Sequence, residues 1–144
     1  AALGERTIWV DCDVLQADGG TRTAAITGAF VAVVDALRRI RAQGTLGALP
    51  VTGLVAAASA GKVDGSLLLD LDYEEDSRAE VDFNVVMTHK GEFVEVQGTG
   101  ESGPFCRESL MDMLKLAETG ITRLIRVQED CLCLSEEEKR GLSR

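Results

Sequence analysis

The chain has 144 residues, 45% of them hydrophobic, which is enough for one domain with a buried core. Its longest apolar runs, such as residues 28–34 and 54–58, are far too short to cross a bilayer, and no segment resembles a secretion signal. The formal net charge of −9 argues, taken alone, against binding to nucleic acid, because Lys and Arg normally drive contact with a phosphate backbone. These properties predict a cytoplasmic protein that does not associate with membranes.

The four cysteines fit a reducing compartment. Cys131 and Cys133 could supply two ligands of a zinc site, but no second pair of cysteines or histidines stands at ligand spacing. Cysteines of cytosolic proteins usually stay reduced, so free thiols are the favoured interpretation.

The first predicted elements are a strand and a helix. Residues 7–15 alternate between two sets of positions, one of which contains Ile8 and Val10, and this pattern predicts a half-buried strand. Two glycines then break the alternation. From Thr21 the apolar residues recur every three or four positions, which predicts an amphipathic helix that ends in arginines and stops at Gly44.

The middle of the chain predicts strands joined by tight turns. Residues 54–59 form a small apolar run that indicates a buried strand, although a helix fits the same run. The pair Asp64-Gly65 predicts a hairpin turn. The inner face of the returning strand is then formed by three leucines, Leu67, Leu69 and Leu71.

A second hairpin and two helices are predicted further on. A polar link over residues 74–80, which can contain a helical turn, leads to an alternating strand and a partner strand. The next helix is predicted to end at Gly120, and another begins at Ile121. We expect one domain over residues 1–130 and an acidic, frayed tail over residues 131–144. The fold class is α+β with a mostly antiparallel sheet packed with helices.

One candidate binding site consists of Gly20, Thr21 and Arg22, which lie between the first predicted strand and helix. Glycine lets the backbone approach a ligand closely, and a helix start exposes unpaired N–H groups with a partial positive charge. Thr21 adds a hydroxyl, and Arg22 adds a permanent, forked cation. The pattern therefore suits a phosphate, although a plain glycine-rich turn with a solvated arginine explains the same residues.

A second candidate site consists of Asp76 and Asp82. Asp82 falls on the polar face of its strand together with Asn84, and Asp76 lies in the link before that strand. Two converging carboxylates can bind a divalent metal ion or share a proton. A solvated acidic loop followed by a strand with a polar outer face is the alternative. His89 adjoins a turn, and we place it outside the site.

These pieces, in this order, resemble the carboxyl-terminal part of a bacterial member of the RNase PH family. The first block is DCDVLQADGGTRT at residues 11–23, followed by ITGAF at residues 26–30. The second block combines LDLDY, EDS, VD and NVVMT between residues 69 and 88, and the third is FVEVQGT at residues 93–99. The resemblance covers about residues 3–127, and its first block is highly specific.

The resemblance implies an RNase PH-like fold, of the ribosomal protein S5 domain 2-like type, incomplete on its amino-terminal side. It implies a phosphorolytic 3′→5′ exoribonuclease that trims tRNA precursors, takes part in rRNA processing, uses inorganic phosphate as co-substrate and releases nucleoside diphosphates. In such an enzyme Gly20, Thr21 and Arg22 would bind the phosphate. Asp76 and Asp82 would be catalytic and would hold Mg²⁺ or Mn²⁺.

Members of this family are considerably longer, so the resemblance also implies partners. A complementary amino-terminal segment would supply further strands, a second phosphate-binding arginine and most of the basic surface that contacts RNA. Family members assemble as homo-hexamers, described as trimers of dimers. Because the chain lacks that segment, we expect it to have no exonuclease activity by itself.

Two other functions stay open at this point. One is a catalytically inactive RNase PH-like scaffold subunit, as in exosome rings. Retention of Arg22, Asp76 and Asp82 counts against it, because a scaffold has no need of a like-charged pair. The other is an unrelated small acidic binding domain, which would respond neither to phosphate nor to Mg²⁺.

Overall fold

The computed structural model describes residues 3–142, which form one antiparallel sheet of four strands with helices packed against it. The strand order is β2-β1-β3-β4. The predicted α+β class is therefore confirmed. In chain order the elements are α1 (Thr21–Ala42), β1 (Val55–Val63), β2 (Ser66–Leu69), α2 (Tyr73–Asp76), β3 (Val81–Thr88), β4 (Phe93–Gly100), α3 (Arg107–Leu132) and α4 (Glu136–Leu142).

The β1–β2 hairpin turns at Asp64 and Gly65, as the sequence predicts. Both residues have positive φ, at 48° and 78°, which is the backbone that a tight hairpin turn requires. Two of the three predicted inner leucines, at positions 67 and 69, pack against the main core. Leu71 instead lies beyond β2 and packs in a second cluster with Val63 and Ala79.

Helix α1 completes the hydrogen bonding of β1 where β2 does not reach. The β1–β2 ladder covers only the second half of β1. In the first half, Thr27 Oγ1 accepts a hydrogen bond from Ala57 N (3.0 Å) and donates one to Ala57 O (3.2 Å). Gln128 of α3 donates to both Thr27 O and Val55 O at 2.9 Å. These bonds fix α1 beside the sheet, which is what places its N-terminus in the candidate site.

Helix α3 runs without a break through Gly120, so the predicted helix end at that residue is wrong. A Cβ at this position would lie 2.9 Å from Leu69 Cδ1, which is closer than real Cβ contacts allow. Glycine inside a helix costs about 0.5–1 kcal/mol relative to alanine. Here the absence of a side chain lets β2 pack directly on the helix, so the residue serves packing and not termination.

The segment before α1 forms no strand within the described residues, so the strand predicted over residues 7–15 is wrong for this structure. Its large apolar side chains are exposed, with Trp9 90% and Leu15 98% accessible. A single strand cannot satisfy its backbone N–H and C=O groups, and none of the strands β1 to β4 pairs with this segment. The alternating pattern is present, but none of the four described strands pairs with it.

The described part of the tail contains a helix. Residue 130 lies inside α3, and after the turn at Cys133 the chain forms α4; residues 143 and 144 lie outside the described residues. Leu134 and Leu142 are buried against the main core. Whether these residues fray in solution stays a prediction.

Two further properties of residues 3–142 bear on the predictions. The four cysteines, Cys131 and Cys133 among them, are exposed and form no disulfide there. No described helix is long and apolar enough to span a membrane.

Candidate functional site

The N-terminus of α1 presents an uncapped helix start. Gly20 is the N-cap residue, with φ 67° and no side chain that could cap the helix. The first turn carries no acidic residue of its own, and its N–H groups have no side-chain cap, while Asp70 Oδ1 lies 3.7 Å from the point where a Cβ of Gly20 would stand, so one carboxylate is close to the positive end of the helix dipole. The hydroxyl of Thr21 donates to Asp18 O (2.8 Å), which leaves the backbone N–H groups as the donors offered to a ligand.

The turn before α1 is packed on the segment that leads to α2. A Cβ on Gly19 would lie 1.9 Å from Leu71 O, so only glycine fits this contact. Beside it, Asp18 Oδ1 accepts a hydrogen bond from Tyr73 N at 2.6 Å. Tyr73 is the first residue of α2 and Asp76 is the last. The contact therefore joins the two parts of the chain that the sequence singles out.

A buried hydroxyl points at the same helix start. Ser59 is only 4% exposed, and its Oγ has no hydrogen-bond partner among the described residues. This atom lies 3.0 Å from the point where a Cβ of Gly20 would stand. An unsatisfied buried hydroxyl costs about 1–3 kcal/mol. Its position identifies the N-terminus of α1 as a place where a polar ligand or water would find a partner.

Polar residues of three strands lie in register on one face of the sheet. Asn84 of β3 pairs with Ser59 of β1 on one side and with Gln97 of β4 on the other. Directly opposed residues share a face, so Asp82, two positions from Asn84, lies on this face as well. Asn84 Nδ2 donates to Asp82 Oδ1 at 3.1 Å. The face that holds the N-terminus of α1 thus also carries Asp82.

The structure brings Asp76 and Asp82 close enough to interact. The pKa of Asp82 is raised above its ordinary value by its partial burial, and then by the negative charges of Asp76 and Glu101. Asp76 itself is exposed. Within residues 3–142 no group of three or more His, Cys, Asp and Glu side chains is arranged to hold a metal ion. A site here would therefore rest on two carboxylates.

Arg22 extends along the same face to the edge strand. Its Nη2 donates to Glu95 Oε2 at 2.8 Å, and each of the two side chains is partly exposed. Glu95 pairs with Val86 in the β3–β4 ladder, so it shares the face of Asn84 and Asp82. The hydrogen bond and the opposite charge raise the pKa of Arg22 and lower the pKa of Glu95.

Sequence reasoning missed two residues of this arrangement, Ser59 and Glu95. Ser59 stands in an apolar run, and its one signal is that it is a polar residue among alanines. Glu95 lies between Val94 and Val96, and this alternation predicts that it lies on a polar face but does not predict its contact with Arg22. His89, which we placed outside the site, accepts a hydrogen bond from Leu54 N (3.2 Å) at the opposite end of β3.

Comparison with known proteins identifies relatives of the chain. A family model described as the 3′ exoribonuclease family, domain 2, matches residues 53–120. Ribonuclease PH of Corynebacterium kroppenstedtii is 60% identical over 131 residues, which are 91% of this chain and 52% of that protein. Ribonuclease PH of Moorella thermoacetica is 61% identical over 130 residues, again with 52% of the relative covered.

A solved structure supports the fold. The crystal structure of rice (Oryza sativa) Rrp46 superposes with a TM-score of 0.63, covering 83% of this chain and 51% of that one. At 16% identity this likeness concerns the fold alone, and it confirms the predicted RNase PH-like architecture. The chain spans about half the length of the curated relatives it matches. With its matching domain and about 60% identity over nine-tenths of its length, the chain belongs to the ribonuclease PH family.

Proposed function

We propose that this chain is the carboxyl-terminal half of a phosphorolytic 3′→5′ exoribonuclease, and that its substrates are the 3′ ends of tRNA precursors and other RNA, including rRNA, in the cytoplasm. The observation that carries the proposal is the uncapped start of α1. It lies on the sheet face that also bears Asp82, and Arg22 and the unpartnered Ser59 hydroxyl flank it. Family membership supports the class of reaction, and this geometry supports a different role for each end of the face.

Inorganic phosphate would bind at the start of α1. Backbone N–H groups of the first turn, from Gly20 to Arg22, favour an anion through their direction and through the helix dipole. Arg22 adds a forked cation that can donate two parallel hydrogen bonds. The bound phosphate then attacks the last phosphodiester of the RNA. The bond between that phosphorus and the 3′ oxygen of the preceding nucleotide breaks, and a nucleoside diphosphate is released.

Asp76 and Asp82 would hold a divalent cation, Mg²⁺ or Mn²⁺. Partial burial raises the pKa of Asp82, and the like charge of Asp76 raises it further; a cation between the two aspartates would relieve this repulsion. Mg²⁺ is commonly bound by one or two carboxylates, with water and substrate phosphates as its other ligands, so two aspartates are enough. When bound, the ion would offset charge on the departing 3′ oxygen.

The second half of the enzyme would come from a complementary amino-terminal segment. We propose that it pairs with residues 7–15, whose apolar side chains are exposed, and that it adds a second phosphate-binding arginine and the basic path for RNA. The assembled protein would be a homo-hexamer, a trimer of dimers. This accounts for a net charge of −9 in the present chain without giving up an RNA substrate.

The experiment that tests the phosphate site is a calorimetric titration of residues 1–144 with inorganic phosphate. Arg22→Ala should weaken binding by about 1.5–3 kcal/mol, the usual contribution of a hydrogen bond to a charged group. Arg22→Lys should restore only part of the affinity, because an ammonium group lacks the planar fork. Arg39→Ala, on an exposed position near the other end of α1, is the matched control for loss of one positive charge. Equal affinity in the wild type and Arg22→Ala would show that phosphate does not bind here, and would favour an inactive scaffold subunit.

A further inference from the structure

We infer that Glu95 is a specificity-determining residue of the phosphate site, and that its carboxylate accepts a hydrogen bond from the P–OH group of a protonated phosphate. The residue would thereby favour phosphate over tetrahedral anions that carry no proton, such as sulfate. This inference rests on the proposed function and deepens it, since it concerns which anion the start of α1 selects.

Arg22 and Glu95 are joined by a single contact. One guanidinium nitrogen, Nη2, is bonded to one carboxylate oxygen, Oε2, at 2.8 Å. The second oxygen of Glu95 and the other nitrogens of Arg22 make no hydrogen bond to the described residues. A ligand at this position therefore meets free donors on Arg22 and a free acceptor on Glu95, side by side.

The surroundings offer donors to an anion beside one carboxylate. Helix α1 begins without an acidic residue in its first turn and without a side-chain cap, and Asp70 Oδ1 lies 3.7 Å from the Cβ position of Gly20. The Ser59 hydroxyl, nine-tenths or more buried and without a partner among the described residues, lies 3.0 Å from the Cβ position of Gly20 at this helix start. Glu95 contacts Arg22 of this helix from another strand, and its carboxylate, like that of Asp70, would repel an anion that binds Arg22 and has no proton to share.

Phosphate and sulfate differ in protonation at neutral pH. Near neutral pH inorganic phosphate keeps at least one P–OH group, and arsenate keeps an As–OH group, whereas sulfate keeps none. A carboxylate is an acceptor only, so it can hydrogen-bond to phosphate or arsenate but can only repel sulfate. Arg22 lowers the pKa of Glu95, which keeps this carboxylate ionised at neutral pH. The pair thus offers a phosphate both a donor for its charged oxygens and an acceptor for its hydroxyl.

The test is a titration of residues 1–144 with phosphate, arsenate and sulfate in turn, at constant ionic strength and neutral pH. The wild type should bind phosphate and arsenate at least about tenfold more tightly than sulfate, the difference expected when one hydrogen bond to a charged group is replaced by repulsion. Glu95→Gln keeps an oxygen that can accept from Arg22 and adds an N–H₂ donor. It should bind sulfate about tenfold more tightly than the wild type and lower the phosphate-to-sulfate ratio by about tenfold.

Two comparisons make the result decisive. Glu92→Gln removes the same charge from the same hairpin, at the turn before β4, and should leave the ratio at its wild-type value. If phosphate binding depends on Arg22 but Glu95→Gln changes phosphate and sulfate by the same factor, the role of Glu95 is refuted while the phosphate site stands. If the wild type binds no phosphate, or binds it independently of Arg22, the proposed function fails and this inference fails with it.

Discussion

Replacement of Gly19 by alanine perturbs the contact that joins the turn before α1 to the segment leading to α2. The new Cβ would stand 1.9 Å from Leu71 O and 2.9 Å from the carbonyl carbon of Asp72. Both are backbone atoms, so neither can rotate away as a side chain would. Ordinary contacts begin near 3.4 Å, so the two segments must move apart by more than an ångström before the methyl group fits.

The expected loss follows from two contributions. Inserting a methyl group into a closely packed contact costs about 1–3 kcal/mol. Separation of the segments also lengthens the hydrogen bond from Tyr73 N to Asp18 Oδ1, now 2.6 Å, which contributes about 1 kcal/mol. Together the free energy of unfolding should fall by about 2–4 kcal/mol, and phosphate affinity should fall with it, because the start of α1 is no longer held in place.

A matched control is available in the same part of the chain. Gly28 lies within α1 on its exposed side, and a Cβ there would meet no atom within 4 Å. Gly28→Ala should therefore stabilise the protein by about 0.5–1 kcal/mol through helix propensity alone. Urea unfolding followed by circular dichroism measures both variants. Equal and small changes in the two would show that the contact at Gly19 does not constrain the structure, and the reasoning would be refuted.

Three further predictions concern charge and assembly. Glu138 accepts two hydrogen bonds from Arg38, at 2.8 and 2.9 Å, and its pKa is lowered from 4.5 to about 2. The stability that ionised Glu138 contributes is present above about pH 4.5 and is lost as the pH falls towards 2. Glu138→Gln should therefore lower the free energy of unfolding by about 1.5–3 kcal/mol at neutral pH. In acid, the free energy of unfolding of this variant should fall less steeply with pH than that of the wild type. Asp76→Asn and Asp82→Asn should each abolish the rise in melting temperature produced by Mg²⁺, as well as phosphorolysis once the complementary segment is present; an unchanged Mg²⁺ response would exclude the metal site. Light scattering of residues 1–144 should show self-association, with no nucleoside diphosphate released from RNA, whereas an active monomer would contradict the proposed need for a second segment.

The elements that could be predicted from the sequence are those whose partners are close along the chain. The hairpin at Asp64 and Gly65 is specified by its own turn residues, and α1 by its own period, so neither requires knowledge of distant contacts. The strand predicted over residues 7–15 failed because a strand is completed by another strand, and none of β1 to β4 pairs with it. The helix end predicted at Gly120 was wrong because glycine is needed there for contact with the side chain of Leu69, which lies 51 positions away in the sequence.

The candidate site divides in the same way. Gly20, Thr21 and Arg22 are adjacent in sequence and open a helix, so their common role could be predicted from spacing alone, and that role stays a prediction. Ser59 and Glu95 enter only through the register of β1, β3 and β4. Register depends on long-range pairing, which a single sequence does not specify.

The balance of charge on the polar face bears on how the site would work. Arg22 is one cation, and it is already paired with Glu95, while Asp76 and Asp82 add two further carboxylates nearby. Phosphate and RNA are anions, so they would approach a face on which negative side chains outnumber positive ones. A divalent ion at the aspartates offsets one part of this excess, and cations from a second segment would offset the rest. On the proposed function, the start of α1 would bind phosphate by itself, and the same face would become suited to phosphate and RNA together only when both additions are present.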